Sequence, residues 1–159
     1  VKKTKTYKTK ICCTRKTMPG LRYLQKQAVK IGGGHNNRYD LQEEIFVKDN
    51  HHMDKLNFRD KIKLIKKRDR TNKKINVEVD NIKQLKQIIN LKIDRILLDN
   101  FSPTILKRAL KIIPNKIETE ASGNITPKNV LKYAKTGVNR ISLGYLTHSV
   151  KNFNFSLEF

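Results

Sequence analysis

The sequence predicts an α/β fold, namely a partial β/α barrel of about six parallel strands with helices outside. Short apolar runs alternate with amphipathic stretches along the chain, which is typical of parallel strands joined by right-handed crossovers. Candidate functional residues also recur every 21 to 30 positions where predicted strands end, at Lys48, Glu78, Asp99, Glu120 and Gly144. This near-even spacing, without a dinucleotide-binding glycine fingerprint, favours a barrel over an open doubly wound sheet.

The first strand is predicted at 10–14 and contains two adjacent cysteines, Cys12 and Cys13. Neighbouring side chains on a strand point to opposite faces, so we expect two buried, reduced thiols rather than a disulfide. The chain contains no C-x-x-C pair, which excludes the common cysteine-based metal and redox motifs.

The first helix is predicted at 21–30, after a Met-Pro-Gly turn, and glycines at 32–34 end it. Leu21, Leu24 and Ala28 recur at helical spacing, so we expect this face to be buried.

The remaining elements continue the alternation. Further strands are predicted at 44–48, 75–79, 95–98, 116–120 and 140–142. Further helices are predicted at 57–67, 81–90, 103–113 and 127–135. In the second helix Ile62, Leu64 and Ile65 are expected to face inward, and Pro103 suits the first turn of the fourth. The alternating apolar residues Phe153, Phe155, Leu157 and Phe159 are expected to pack back on the domain.

The length of 159 residues predicts one domain, 1–159, and the net charge is +21. Such a charge suits a nucleic-acid-binding protein, but it also arises when lysine is abundant everywhere. Lysines are spread along the chain, and no aromatic residues interleave with the basic runs, so we favour the second interpretation. No apolar run is long enough to span a membrane, and the basic N-terminus lacks an apolar signal core, so we predict a cytoplasmic location.

Four cations, Arg15, Lys16, Arg38 and Lys48, share one neighbourhood if the barrel prediction is right, and several of them lie at predicted strand ends. Each alone is most simply a solvated surface charge. In a barrel the strand ends meet, and arginine holds carboxylates with a planar fork, so together they favour a site for an anionic substrate.

Two acids, Glu78 and Asp99, are predicted at neighbouring strand ends. A carboxylate beside a strongly apolar strand needs a partner. A salt bridge to a nearby lysine is one interpretation. Binding of Mg²⁺ or sugar hydroxyls, or stabilisation of an oxocarbenium-like centre, is the other.

Glycine-containing loops follow the last two strands at 122–124 and 144–145, where barrels commonly bind phosphate through backbone N–H groups. His148 lies close enough in sequence to cap or line the second loop. No Ser-His-Asp arrangement is evident, and the adjacent His51 and His52 are most simply solvated in a polar loop. The residues therefore suit catalysis by positioning and electrostatics.

Several motifs together carry a specific resemblance. They are TRKTMPGLR at 14–22, GGGHNNR at 32–38, VKDNH at 47–51, VEVD at 77–80, LLDNF at 97–101, EASG at 120–123 and LTHS at 146–149. In this order they resemble quinolinate phosphoribosyltransferases, also called carboxylating nicotinate-nucleotide pyrophosphorylases. The resemblance implies that the chain forms nicotinate mononucleotide, CO₂ and pyrophosphate from quinolinate and phosphoribosyl pyrophosphate, with Mg²⁺, in NAD synthesis.

The resemblance also implies a role for each matching residue. Quinolinate would be bound by Thr14, Arg15, Lys16, Asn37, Arg38 and Lys48, with Lys16 between the pyridine and phosphoribosyl groups. Ribose and Mg²⁺ would be bound by Glu78 and Asp99. Phosphate would be bound by Ser122, Gly123, Asn124, Ser142, Leu143, Gly144 and Tyr145, with His148 as a further candidate.

The chain also departs from the family pattern. Asn37 stands where the family usually has histidine, and Tyr145 where alanine is common. Family members are expected to begin with an α+β domain that covers the barrel mouth of the partner in a homodimer and donates a further arginine. We expect that domain to be absent here, or to be supplied separately. The alternatives are a fragment inactive alone, a related pyridine phosphoribosyltransferase and, remotely, a nucleic-acid-binding domain.

Overall fold

In a computed structural model the chain forms a six-stranded, all-parallel sheet flanked by helices. The structure describes residues 1–48, 57–151, 154 and 156–158. The strands are β1 (Lys10–Cys12), β2 (Ile45–Val47), β3 (Ile75–Val79), β4 (Arg95–Asp99), β5 (Glu118–Ser122) and β6 (Arg140–Ser142). The helices are α1 (Arg22–Ile31), α2 (Phe58–Arg68), α3 (Ile82–Ile88), α4 (Pro103–Leu110) and α5 (Val130–Ala134), with 3₁₀ turns at Lys2–Thr4 and Gly144–Leu146.

The strand order is that of a β/α barrel opened at one seam. From β2 to β6 each strand pairs with the next in sequence, and β1 then pairs with β6. Within the described residues β1 and β2 form the two edges, and a single parallel bridge joins Cys12 to His35. The predicted partial barrel of six parallel strands is therefore confirmed, with its seam between β1 and β2.

The two faces of the sheet differ in polarity. One face carries apolar residues such as Val77, Leu98 and Ile141, which belong to the core formed with the helices. The alternate positions carry charged residues, of which Glu78 and Glu120 are buried examples. Because successive strand residues point to opposite faces, the charges collect on the concave side. The apolar core thus lies outside the strands, and the polar site lies inside.

Asparagine and serine side chains begin three of the helices. The side chains of Asn57, Asn81 and Ser102 accept hydrogen bonds from the backbone N–H groups three residues ahead, at 3.0, 2.9 and 3.4 Å. Each bond satisfies one of the donors left free in a helix's first turn. Pro103 occupies the first turn of α4, as predicted.

Several predicted element bounds were wrong: strand β1 ends at Cys12 instead of 14, helix α3 at Ile88 instead of 90, and helix α4 at Leu110 instead of 113. Strand β5 is shifted two residues beyond the predicted 116–120, because Ala121 and Ser122 pair with Leu98 and Asp99 of β4. Helix α5 begins at Val130 instead of 127, because the side chain of Asn129 accepts from the Thr126 backbone in a preceding turn.

The predicted buried face of α1 was also wrong. Leu21 and Leu24 are 41% and 62% exposed, and Ala28 is exposed too. The helix instead buries Lys26 and Val29. The reason lies in the loop after the helix, where Val29 packs closely against Gly34 and Lys26 donates hydrogen bonds to backbone carbonyls.

In α2, Ile62 is buried and Ile65 packs against the core, whereas Leu64 is only half-buried. In the tail, Leu157 is 80% exposed, so the expected packing is wrong for that residue. The predicted loop histidines His51 and His52 lie outside the described residues, as do Phe153, Phe155 and Phe159.

Both cysteines are buried and free, as predicted. Burial raises the pKa of the Cys12 thiol from 9.0 to about 12. The stability that this shift contributes is therefore present below pH 9 and is lost as the pH rises toward 12. We expect iodoacetamide at pH 9 to leave Cys12 unmodified in the folded chain and to alkylate it after unfolding, as measured by peptide mass spectrometry. Equal labelling rates in both states would contradict this burial.

Candidate active site

The carboxyl ends of the strands surround a cavity of about 770 Å³ on the concave face. Its volume lies within the range of about 300–1,000 Å³ that is usual for small-molecule sites. In parallel barrels this end of the strands is where active sites are built.

The structure brings nearly all the predicted site residues to this cavity. Those that line it are Thr14, Arg15, Lys16, Asn37, Arg38, Lys48, Glu78, Asp99, Ser122, Gly123, Asn124, Ser142, Gly144, Tyr145 and His148. Leu143 does not line it, because its side chain is buried in the apolar core and its backbone N–H donates to the Cys12 carbonyl. The convergence is thus observed, whereas the ligand of each residue stays a prediction.

Cations cover one side of the cavity. The Arg38 guanidinium lies 4.7 Å from the Phe46 ring centroid and donates to the Glu44 carbonyl, at 3.1 Å. Burial, reinforced by the neighbouring Arg15, lowers the pKa of Arg38, although arginine stays charged in proteins. The Nε of Arg15 is buried without a hydrogen-bond partner among the described residues. Because buried donors are normally satisfied, this atom indicates that an acceptor belongs in the cavity.

Carboxylates lie at the ends of the neighbouring strands β3 and β4. Glu78 forms an ion pair with Lys48, at 3.1 Å, so the salt-bridge interpretation of Glu78 is borne out. Asp99 accepts a hydrogen bond from the Asn100 side chain, at 2.7 Å, and forms no ion pair with the described residues. Asp99 therefore keeps oxygen lone pairs available to the cavity.

Two glycines shape the predicted phosphate loops. Gly123 has φ +93°, and a Cβ there would lie 2.2 Å from the Asn100 side chain, so other residues would clash. A Cβ at Gly144 would lie 2.3 Å from Nε2 of His148, so the absence of a side chain lets the imidazole pack on this turn. Tyr145 lines the cavity and also packs partly against the apolar core.

A buried network of ion pairs and hydrogen bonds forms the floor of the cavity. Glu120 is fully buried, accepts hydrogen bonds from Asn37 (3.0 Å) and Ser142, and forms ion pairs with Arg95 (3.3 Å) and Arg140 (3.4 Å). Burial alone would lower the pKa of Arg95, but the carboxylates of Glu120, Glu44 and Glu118 outweigh it and raise the pKa. Asn37, predicted to bind substrate, is thus committed to this network through its side-chain N–H groups.

Sequence reasoning missed Arg95 and Arg140 of this network, and it missed Arg22. Arg95, Leu97 and Asp99 occupy every second position of β4 and share its inward face, so the inward position of Arg95 could have been predicted from that of Asp99. Arg22 lines the cavity from the first turn of α1 and donates to the Thr17 hydroxyl, at 3.1 Å. Its place at the end of the TRKTMPGLR motif was the available signal.

The described residues contain no cluster of three or more His, Cys, Asp or Glu side chains that could hold a metal alone. Mg²⁺ typically uses one or two carboxylates together with substrate phosphates, and Glu78 and Asp99 fit that smaller demand. The Mg²⁺ expected from the sequence therefore stays a prediction.

The family model described as "Quinolinate phosphoribosyl transferase, C-terminal domain" matches residues 1–158. The chain belongs to the quinolinate phosphoribosyltransferase family. A probable carboxylating nicotinate-nucleotide pyrophosphorylase of Methanocaldococcus jannaschii is 42% identical, over 99% of this chain and 59% of that protein. One of Bacillus subtilis is 42% identical, over 94% of this chain and 52% of its own length.

Solved structures agree with the family assignment. The nicotinate-nucleotide pyrophosphorylase of Francisella tularensis superimposes with a TM-score of 0.88 at 42% identity, over 95% of this chain and 54% of that one. The chain therefore spans about half the length of the relatives it matches. Among the residues that the structure describes, no helix is long and apolar enough to cross a membrane.

Proposed function

We propose that this chain supplies the catalytic barrel of a phosphoribosyltransferase that converts quinolinate and phosphoribosyl pyrophosphate to nicotinate mononucleotide, CO₂ and pyrophosphate. The observation that carries the proposal is one cavity lined by the cations Arg15, Arg38 and Lys48 and by the carboxylates Glu78 and Asp99, with the Lys48–Glu78 ion pair where the two sets meet. A dianionic ring acid suits the first set, and a ribose that develops positive charge suits the second. Family membership and the relatives' names support the same reaction.

Quinolinate binds through its two carboxylates in this proposal. Arg15 and Arg38 offer planar forks, and Lys48 adds a point charge at the same end of the cavity. Quinolinate supplies the acceptor that the buried Nε of Arg15 lacks. Nicotinate has a single carboxylate, so the three cations favour quinolinate over nicotinate. Lys16 lies between the pyridine and the phosphoribosyl group, and Thr14 supports it by accepting a hydrogen bond from the Lys16 backbone, at 3.1 Å.

Phosphoribosyl pyrophosphate occupies the part of the cavity next to Glu78, Asp99 and the two glycine-containing loops. Glu78 and Asp99 orient the ribose through its hydroxyls and hold Mg²⁺, which neutralises phosphate charge when bound. The loops at 122–124 and 142–145 bind phosphate through backbone N–H groups and hydroxyls, with His148 at the second loop. Leu143 contributes only its backbone position in that loop, because its side chain is in the core.

The proposed reaction depends on positioning of the two substrates and on electrostatic stabilisation of the charges that develop. The pyridine nitrogen attacks the anomeric carbon while the bond to pyrophosphate breaks, and Glu78 and Asp99 offset the positive charge that develops on the ribose. The nitrogen becomes cationic and stabilises negative charge on the adjacent carbon. The carboxylate on that carbon can leave as CO₂, its bonding electrons stay on the ring, and the carbon then takes a proton.

The proposal extends to assembly and location. We infer that residues 1–159 act as one barrel domain, that the barrel works as a homodimer, and that a further domain over the barrel mouth completes the site. The homodimer and the further domain rest on the family resemblance, whereas the single domain rests on the length of the chain. The cytoplasmic location stays a prediction from the sequence.

The proposal is tested by incubating the chain, alone and with the family's further domain added separately, with quinolinate, phosphoribosyl pyrophosphate and Mg²⁺ and measuring the products. Nicotinate mononucleotide and CO₂ are expected in equal amounts, with nicotinate a poor replacement for quinolinate. Equal use of nicotinate, without CO₂ release, would indicate a different pyridine phosphoribosyltransferase. A folded chain that binds both substrates and forms no product, even when the family's further domain is added separately, would contradict the proposed catalytic role.

A further inference from the structure

Lys26 of α1 is a buried cation that the proposed chemistry does not use. It is only 3% exposed. Its Nζ donates to the backbone carbonyls of Asn37, at 2.6 Å, and Arg38, at 3.1 Å, and lies 3.7 Å from the Cys13 sulfur. Lys26 forms no ion pair with the carboxylates of the described residues, so its charge is balanced by these neutral acceptors.

The three N–H bonds of the ammonium group match these three acceptors. The two carbonyls belong to a segment, 36–38, that lies outside the strands and accepts no backbone hydrogen bond at Asn37 or Arg38 within the described chain. A buried carbonyl without a donor costs free energy, so Lys26 makes this irregular backbone tolerable. The Asn36 side chain closes the arrangement, since it donates to the Lys26 carbonyl, at 3.2 Å, and accepts from the Cys13 thiol, at 3.2 Å.

The clamped segment carries two side chains of the cavity. With its backbone fixed toward α1, Asn37 reaches Glu120 and Ser142, and Arg38 lies over Phe46. We infer that Lys26 is a positioning residue for the quinolinate side of the site, acting through the backbone of Asn37 and Arg38. The inference rests on the proposed function for the identity of the ligand.

This role affects one substrate more than the other. The loops around Gly123 and Gly144 belong to other elements, and Lys26 has no hydrogen bond to either loop. The clamped segment is joined to the second loop through the Asn37–Ser142 hydrogen bond, whereas Arg38 itself is assigned to quinolinate. Loss of the clamp should therefore weaken quinolinate binding more than phosphoribosyl pyrophosphate binding. A merely structural lysine would weaken both ligands alike.

The test compares Lys26→Met with Lys30→Met, a matched change at an exposed lysine of the same helix. Dissociation constants for quinolinate and for phosphoribosyl pyrophosphate with Mg²⁺ are measured by calorimetry. We expect Lys26→Met to weaken quinolinate by about tenfold or more and phosphoribosyl pyrophosphate by less than about twofold, since one or two hydrogen bonds to a charged group are lost. In an Arg38→Ala background, Lys26→Met should add little further loss for quinolinate, because both changes act on one group.

Hydrogen exchange of peptides that cover 35–39 provides a readout that needs no ligand. Exchange in Lys26→Met should rise in this segment and stay unchanged in peptides around 122–124. Equal weakening of both ligands, unchanged quinolinate affinity, or unchanged exchange at 35–39 would each overturn the inference. If Lys26→Met does not fold, Lys26→Gln is compared with Lys30→Gln by the same criteria. If the unaltered chain does not bind quinolinate, the proposed function fails, and the exchange measurement alone decides whether Lys26 clamps the segment.

Discussion

Replacing Arg15 with alanine is expected to weaken quinolinate binding by about two orders of magnitude. Its guanidinium lines the cavity, and its Nε is a buried donor without a partner in the described structure. Hydrogen bonds to charged groups contribute about 1.5–3 kcal/mol each, and about 1.4 kcal/mol corresponds to a tenfold change in affinity. The measurement is a calorimetric comparison of the two chains.

Two further variants define the cause. Arg15→Lys keeps the charge but loses the planar fork, so its affinity should lie between those of the unaltered chain and Arg15→Ala. Arg108→Ala removes an exposed arginine of α4, away from the cavity, and should leave quinolinate affinity unchanged. Arg15→Ala with the affinity of the unaltered chain would exclude Arg15 from the quinolinate site.

Replacing Glu120 with glutamine is expected to cause the largest loss of stability. The carboxylate is fully buried and neutralises part of the charge of Arg95 and Arg140 below the cavity. Removing one partner of a buried ionic network typically costs about 3–5 kcal/mol. We expect a loss near the lower end of this range in urea unfolding, because Arg95 also pairs with Glu44 and Glu118.

Glu118→Gln is the matched control for this prediction. Its side chain also pairs with Arg95 and Arg140 but is 31% exposed, so water can screen the loss. Burial alone would raise the pKa of Glu118, but Arg95 and Arg140 outweigh it and lower the pKa. The stability that Glu118 contributes is therefore present above its ordinary pKa and is lost as the pH falls through the lowered pKa. An equal drop in the free energy of unfolding in the two variants would contradict the prediction, because it would show that burial of Glu120 does not increase the loss of stability.

Local sequence patterns predicted the bounds of a strand correctly where the pattern itself ends at a turn. The bounds of β3 and β6 were predicted correctly, because each is a short inward-outward alternation between clear turns. The two-residue shift of β5 could not be predicted, since it depends on pairing of Ala121 and Ser122 with β4. Strand ends are set by the neighbouring strand as much as by local propensity.

Residues at strand ends of the site could be predicted from the sequence, whereas residues that depend on distant partners could not. Residues at strand ends, such as Glu78 and Asp99, were found because parallel strands bring their ends together. The roles of Lys26 and Asn37 were not, because both depend on partners more than ten residues away in sequence. The buried face of α1 was wrong for the same reason, since a lysine that finds backbone acceptors replaced the apolar stripe that periodicity favoured.

The account depends on one claim, that the cationic side of this cavity recognises two carboxylates on a pyridine ring. Calorimetric titration of the folded chain with quinolinate, and separately with nicotinate, tests that claim most directly. We predict saturable binding of one quinolinate per chain, with nicotinate bound at least about tenfold more weakly, since it lacks one charge-assisted contact. Equal affinity for the two acids, or no binding of quinolinate by the folded chain, would contradict it.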